Sequence, residues 1–276
     1  MWPHNLYLYL FTFLLCSLLC HSVEVHNAKE LIELFKNEKG NSLKSDIELL
    51  DDLDFSGSGI TYPLGVDSDG KCTAYSGTFQ GNGHLIKGLV MNNKNGNVFS
   101  SSGLFCSLKD VIFENLIIDS SCSFTGYYVG GLSVTAAGSV SCFNVTNMAT
   151  ISGSYRTGGL IGYIEGMKQN TIIVFEDCLN HGAVSGTSSV GGFIGYIYNN
   201  MNMDLSLTNC TNSGKITVSD DDVGGFLGYI ESNTNITMTL SNCTNRGSVN
   251  SGDDYTGGFV GYLKSNTQMN VQSTFL

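Results

Sequence analysis

The string GGFIGY at Gly191–Tyr196 recurs as GGLIGY from Gly158, GGFLGY from Gly224 and GGFVGY from Gly257, with successive starts 33 residues apart. A fixed period of this length makes each repeat one supersecondary unit. Such a unit cannot bury its apolar face alone and must stack on its neighbours. A degenerate copy, GGLSV, begins at Gly130. The cysteines Cys178, Cys210 and Cys243 keep steps of 32 and 33, each followed two residues later by Asn180, Asn212 or Asn245 and four later by Gly182, Gly214 or Gly247. Cys142 opens a weaker first copy, because counting back from Gly158 by the spacing of the next repeat reaches Asn147 rather than Asn144.

Inside the repeats the apolar spacing has period two. Met203, Leu205 and Leu207 alternate with Asn202, Asp204 and Ser206, and Ile236, Met238 and Leu240 repeat the pattern one period later. This is strand spacing, not helix spacing. A second short strand is expected over Lys215–Val218 and a third over the Gly-Gly-Phe-x-Gly-Tyr segment, so that three strands and three turns make one coil of a three-sided solenoid. Coils stacked at about 4.8 Å align equivalent residues into ladders. The expected ladders are Phe193, Phe226 and Phe259; Tyr163, Tyr196, Tyr229 and Tyr262; Cys178, Cys210 and Cys243; and Asn180, Asn212 and Asn245. Asparagine at a corner can pass amide hydrogen bonds from coil to coil, a structural role. Composition agrees with this reading: 13% of residues are charged and 34 are glycine, whereas long surface helices need a charged wet face.

One helix stands out at Asn27–Lys39, with an apolar stripe of Ala28, Leu31, Ile32, Leu34 and Phe35 and a place at the solenoid end as a cap. Ahead of it, the apolar run Leu6–Leu19 is too short to span a bilayer and fits a signal peptide over residues 1–22, cleaved after Ser22. No later segment is apolar enough for a membrane span. The formal charge of −11 lies wholly outside the first 22 residues, which repels nucleic acid phosphates and anionic headgroups. Seven cysteines follow the leader, an odd number that leaves at least one thiol free or paired with another chain.

The order of DIELLDDLDFSG from Asp46, YPLG from Tyr62, GTFQGNGHLIKGL from Gly77, GLFCSL from Gly103 and VIFENLIID from Val111, followed by GG[FL]xGY and NCxNxG repeats, resembles the GLUG-motif repeat proteins of bacterial and protist surfaces and secretions. The resemblance covers about residues 27–276. It implies an all-β right-handed parallel β-helix with a short N-terminal capping helix, and no reaction, because such repeats are usually scaffold or adhesin-like. Cys106 stands where that family usually has glycine and Gln80 where it often has Asp. The expected organisation is a signal peptide at 1–22, the capping helix within 23–45, a β-helix head at 46–121 and the repeat array at 122–276. Lys264–Leu276 aligns with Glu231–Cys243, so the array ends mid-coil; the expectation is either a fragment of a longer surface protein or a protein that pairs end to end, and open coil edges predict self-association in both.

Paired carboxylates were sought because β-helices carry many polysaccharide-cleaving enzymes. The candidates are Asp51 with Asp52, Asp220–Asp222, and Asp253 with Asp254; Asp221 and Asp254 fall at stacked turn positions. Solvated turn acids would ionise alike and give no acid–base pair. Only Arg156, Arg246 and a few lysines could clamp an acidic substrate, and His84 and His181 stand isolated. Stacked acids could take Ca²⁺, but Asp67-Ser68-Asp69-Gly70 lacks the remaining ligands of a calcium loop, and no C-x-x-C pair offers a zinc site. One cysteine per coil predicts an inward thiol ladder, with disulfides between adjacent coils as the alternative. The tyrosine ladder is expected to pack, or to stack on sugar rings if it faces outward. Of the glycosylation sequons at Asn144, Asn209, Asn235 and Asn242, Asn235 lies on the polar face of its strand and is the candidate acceptor. The sequence thus points to a secreted or cell-surface, non-catalytic module for adhesion or ligand interaction, without a cofactor, whose partner is a glycan or a host or cell-surface protein. An extracellular polysaccharide hydrolase or lyase is the alternative. A carboxylate pair with nearby Lys or Arg would favour the enzyme.

Overall fold

The computed structural model describes residues 22–37, 42–93, 100–165, 170–198, 201–231, 234–252, 255–264 and 267–274; the leader 1–21 and the pair Asp253–Asp254 lie outside them. The chain winds into a parallel β-solenoid of about six turns. Between Ile161 and Gly191 one coil runs through Ile161–Glu165, Thr171–Glu176, Leu179–Asn180, Val184–Gly186 and Ser188–Gly191. The first two belong to a 15-stranded sheet, and the others to sheets of seven, six and five strands. In the head the first two are one strand, Phe105–Glu114, whose halves pair with Ser133–Ala136 and Val140–Phe143.

The parallel solenoid is as expected, but each coil carries five short strands in four hydrogen-bonded sheets where the period predicts three strands. The two-residue strand Leu179–Asn180 is too short to show a period and read as a turn. Nor does the Gly-Gly-Phe segment lie in a strand: Gly192 and Phe193 form a bend between Ser188–Gly191 and Ile194–Tyr198. A side chain at Gly192 would overlap the Gly225 carbonyl oxygen of the next coil and sit 2.9 Å from the Asn212 amide. The glycine and the asparagine of the repeat therefore share one space. The amide fills what the missing side chain leaves open.

That asparagine column is continuous, and it is fully buried from Asn147 to Asn212 and half-buried at Asn245. Asn147 donates to Asn180 and Asn180 to Asn212, each at 2.8 Å; Asn212 donates to Asn245 at 2.8 Å and to the Gly214 carbonyl at 3.3 Å. Its first member, Asn147, is the residue that the 33-residue count reached. In the head the same column holds Leu53, Ile86 and Ile118, so the core there is aliphatic and becomes amide-lined where the repeats begin.

Cys178, Cys210 and Cys243 are buried and free, and each thiol contacts a carbonyl one coil back, those of Cys142, Phe175 and Leu207. Cys142 itself does not open this column. It aligns with Phe113 and Phe175, because the first copy is shorter and its register slides by three residues. Phe193, Phe226 and Phe259 stack at 4.8 and 5.2 Å between ring centres.

Helix α1 spans Ala28–Asn37, shorter than the Asn27–Lys39 expected. Asn27 caps it: its Oδ1 accepts the Glu30 amide at 3.1 Å while the Glu30 carboxylate accepts the amide of His26, the residue before the cap, at 2.7 Å. Ala28, Leu31 and Ile32 are buried, and Phe35 packs on Tyr75 and Phe105. Cys72 and Cys106 form a disulfide that joins residues 34 apart. The cysteine that departs from the family pattern therefore has a bonded partner in the head.

Candidate functional site on the tyrosine face

In Ile161–Glu165, Ile194–Tyr198 and Leu227–Glu231, Ile164, Ile197 and Ile230 enter the apolar core. Period two then turns Tyr163, Tyr196 and Tyr229 to the opposite, outer side. Their register is direct, Tyr163 to Tyr196 to Tyr229 to Tyr262, and successive ring centres lie 5.6, 5.0 and 5.2 Å apart. The tyrosines thus leave the core side of the sheet but pack on one another and are covered, Tyr163 and Tyr196 buried and Tyr229 and Tyr262 half-buried. Tyr127, Tyr155, Tyr198 and Tyr255 are exposed. Tyr127, Tyr198 and Tyr255 lie 4.6, 5.9 and 4.1 Å, centre to centre, from Tyr128, Tyr196 and Tyr262, and Tyr155 lies 5.0 Å from Tyr127.

A second column leans over this ladder. Arg156, Ser189, Asp222 and Tyr255 hold equivalent positions before the Gly-Gly bend, all with left-handed φ between 48° and 67°. Gly195 makes room for them, since a side chain there would collide with the backbone of Arg156 and Thr157. The Arg156 guanidinium sits 4.9, 4.2 and 4.8 Å from the ring centres of Tyr128, Tyr163 and Tyr196. A cation over aromatic faces is attracted by their quadrupoles.

Asp222, two coils on, is 7% exposed, and its Oδ1 has no hydrogen-bond partner among the described residues. Burial, then the charges of Asp221 and Glu231, push its carboxyl up to about 6. Glu231 is its opposite. Tyr196 donates to its Oε2 at 2.6 Å and Lys264 to its Oε1 at 3.1 Å, which holds this carboxyl below the usual range, the Tyr196 hydroxyl contributing most. Burial raises Tyr163 and Tyr229 to about 12, so these hydroxyls stay neutral. Asp222 and Glu231 are thus shifted in opposite directions on one face, which also carries Glu165 in the Glu231 column.

Sequence reasoning included Asp222 only within the run Asp220–Asp222, taken as solvated. Burial corrects that, because the turn residue Asp222, just ahead of the strand Val223–Gly224, lies over the ladder. Glu231 and Lys264 were missed. The available signal was their place two residues after the repeat tyrosines, shared with Tyr198. The other candidates serve the backbone. Asp52 bonds Lys87, the Leu85 amide and His84, while Asp51 pairs with His26. Asp67 closes its own turn on the amides of Asp69 and Lys71, and His181 meets Ser213. No group of three or more His, Cys, Asp and Glu able to hold a metal occurs among the described residues. Asn235 is exposed at φ 54°, and its amide donates to Asn202 at 2.9 Å. Asn144 and Asn242 likewise donate to Asn115 and Asn209 at 2.8 Å along an exposed outer ladder. A cavity of about 850 Å³ lies elsewhere, between α1 and residues 58–73.

Stacked polar and aromatic ladders on parallel sheets define a β-solenoid repeat protein. Residues 186–217 match the family model of the GLUG motif, so the chain carries that motif in the segment where its repeats are most regular. Over 121 residues it is 32% identical to Halomucin of Haloquadratum walsbyi, a match covering 43% of this chain and 1% of Halomucin. The chain thus spans a very small part of that relative. A crystal structure of a Bacteroides ovatus protein provisionally named an immunoglobulin A1 protease shares the fold, with a TM-score of 0.50 and 19% identity over 86% of this chain and 84% of that one. Among the described residues no helix is long and apolar enough to cross a membrane.

Proposed function

We propose that this chain is a secreted or cell-surface β-solenoid module that binds ligand non-catalytically through its tyrosine face, in adhesion or a similar contact. The observation that carries the reading is the set of exposed tyrosines Tyr127, Tyr155 and Tyr198, which lean on a stacked tyrosine ladder whose members Tyr163 and Tyr196 are themselves buried. Rigid aromatic side chains supply contact area at low entropic cost, and stacked coils present it as an extended surface. The GLUG motif and the likeness to part of Halomucin support a surface setting. The protease name of the Bacteroides ovatus protein is not carried over, since likeness at that identity speaks for the fold alone.

Beads coated with the protein should adhere to cells or extracellular polysaccharide, and the triple change Tyr127→Ser, Tyr155→Ser and Tyr198→Ser should abolish adhesion without lowering the melting temperature appreciably. Undiminished adhesion of that variant would refute the reading. A polysaccharide hydrolase or lyase is the second reading, favoured by the opposed shifts of Asp222 and Glu231 beside Lys264, the pattern of an acid and a base. Release of reducing ends or unsaturated products, lost in Glu231→Gln, would decide for it.

A further inference from the structure

We propose that Asp222 marks a subsite for one neutral sugar residue, a hydroxyl of which donates to the unpartnered Oδ1 while the apolar side of its ring lies on Tyr255 and Tyr262. The proposal rests on the tyrosine face being the interaction surface. Its starting point is that the fold does not require an acid at this position: Arg156, Ser189 and Tyr255 hold the same left-handed site in neighbouring coils. A buried carboxylate oxygen without a donor opposes folding, and native proteins keep such atoms chiefly where they serve a site. Here the atom lies on the outer face, beside an aromatic pair stacked at 4.1 Å whose outer member, Tyr255, is 47% exposed. Oδ1 is enclosed, so the ligand reaches it only if Tyr255, next in the column, turns aside.

The surrounding charges select the ligand class. Asp221, Asp222 and Glu231 would repel an anion, and Lys264 beside them is already paired with Glu231. Arg156, two coils away, adds positive charge at the other end of the face. A neutral polyol escapes that repulsion, donates hydrogen bonds to the unpartnered acceptor and offers C–H surface to tyrosine rings. Because Asp222 titrates at about 6 and its ionised form is the stronger acceptor, the same contact makes binding depend on pH.

The test uses a printed array of neutral gluco-, manno-, galacto- and xylo-oligosaccharides, with sialylated, sulfated and amino-sugar glycans as the other classes. Calorimetry with the best neutral oligosaccharide follows, between pH 5 and 8. Affinity should fall as pH drops below about 6, by up to tenfold per unit for one proton. Asp222→Asn should weaken binding about tenfold or more and flatten the pH profile while unfolding remains cooperative. Tyr255→Ser should weaken binding at every pH. Retention of only charged glycans, silence of every neutral one, or neutral binding indifferent to Asp222→Asn overturns the subsite. Bead adhesion that persists in those cases, and is lost in the Tyr127, Tyr155 and Tyr198 variant, leaves the surface reading standing with another ligand; adhesion that ignores those tyrosines removes the reading itself.

Discussion

Replacing Asn212 by alanine tests the inner ladder where it is most constrained. The side chain is fully buried. It accepts from Asn180 at 2.8 Å and donates to Asn245 at 2.8 Å and to the Gly214 carbonyl at 3.3 Å. Each net amide bond contributes about 1 kcal/mol, and a buried polar group left without its partner costs about 1–3 kcal/mol. Asn180 keeps its bond to the Gly182 carbonyl at 3.1 Å, so only part of that penalty applies. The space over Gly192, which the Asn212 amide occupies, becomes a void with a cost of its own. The sum is about 3–4 kcal/mol, or a fall of roughly 10 °C in melting temperature for a domain of this size. Asn242→Gly is the control. It keeps the left-handed turn at φ 51° and removes one exposed bond to Asn209, and should change stability by less than about 0.5 kcal/mol. Thermal unfolding followed by circular dichroism at 218 nm reads both. An Asn212→Ala protein melting within about 2 °C of the parent, or no lower than Asn242→Gly, would show that the buried amides do not hold the coils together.

Asp222 has a folded-state value of about 6 against an ordinary 3.8, so the folded protein binds the extra proton between those limits. Its contribution therefore stabilises the fold as pH falls from above 6 to below 4, and its ionised form opposes folding by roughly 2–3 kcal/mol at pH 7; Asp222→Asn should raise the melting temperature at pH 7.5 and remove this component, and a lower melting temperature would contradict the assignment. The buried Cys122, Cys142, Cys178, Cys210 and Cys243 should resist iodoacetamide at pH 8 in the native protein and react in denaturant, since burial raises Cys122 to about 11 and Cys142 higher still and the thiolate is the reactive form. Peptide mass mapping reads each site, and native labelling of Cys210 would disprove its enclosure. Reduction of Cys72–Cys106, which closes a loop of 34 residues, should lower stability by about 3–4 kcal/mol on chain-entropy grounds; an unchanged urea midpoint after reduction would exclude that contribution.

The repeat period alone determined that the chain is a parallel solenoid, and that Phe193, Tyr196, Cys210 and Asn212 each have counterparts stacked above and below. A fixed step of 33 residues leaves stacking as the way to bury a common apolar face, and register follows from counting. The capping helix was legible too, because its stripe and Asn27 are local signals. Tertiary structure alone decided the number of strands in each coil, because two-residue strands such as Leu179–Asn180 carry no periodicity and exist only through their neighbours. It also decided the pairing of Cys72 with Cys106, which spacing does not fix. The site depended on it most. Asp222 is buried because its turn lies over the tyrosine ladder and Glu231 is ionised because Tyr196 and Lys264, from the coils on either side, both donate to it; burial and charge pairing across coils are properties of residues brought together in space, and no residue's own sequence neighbours record them.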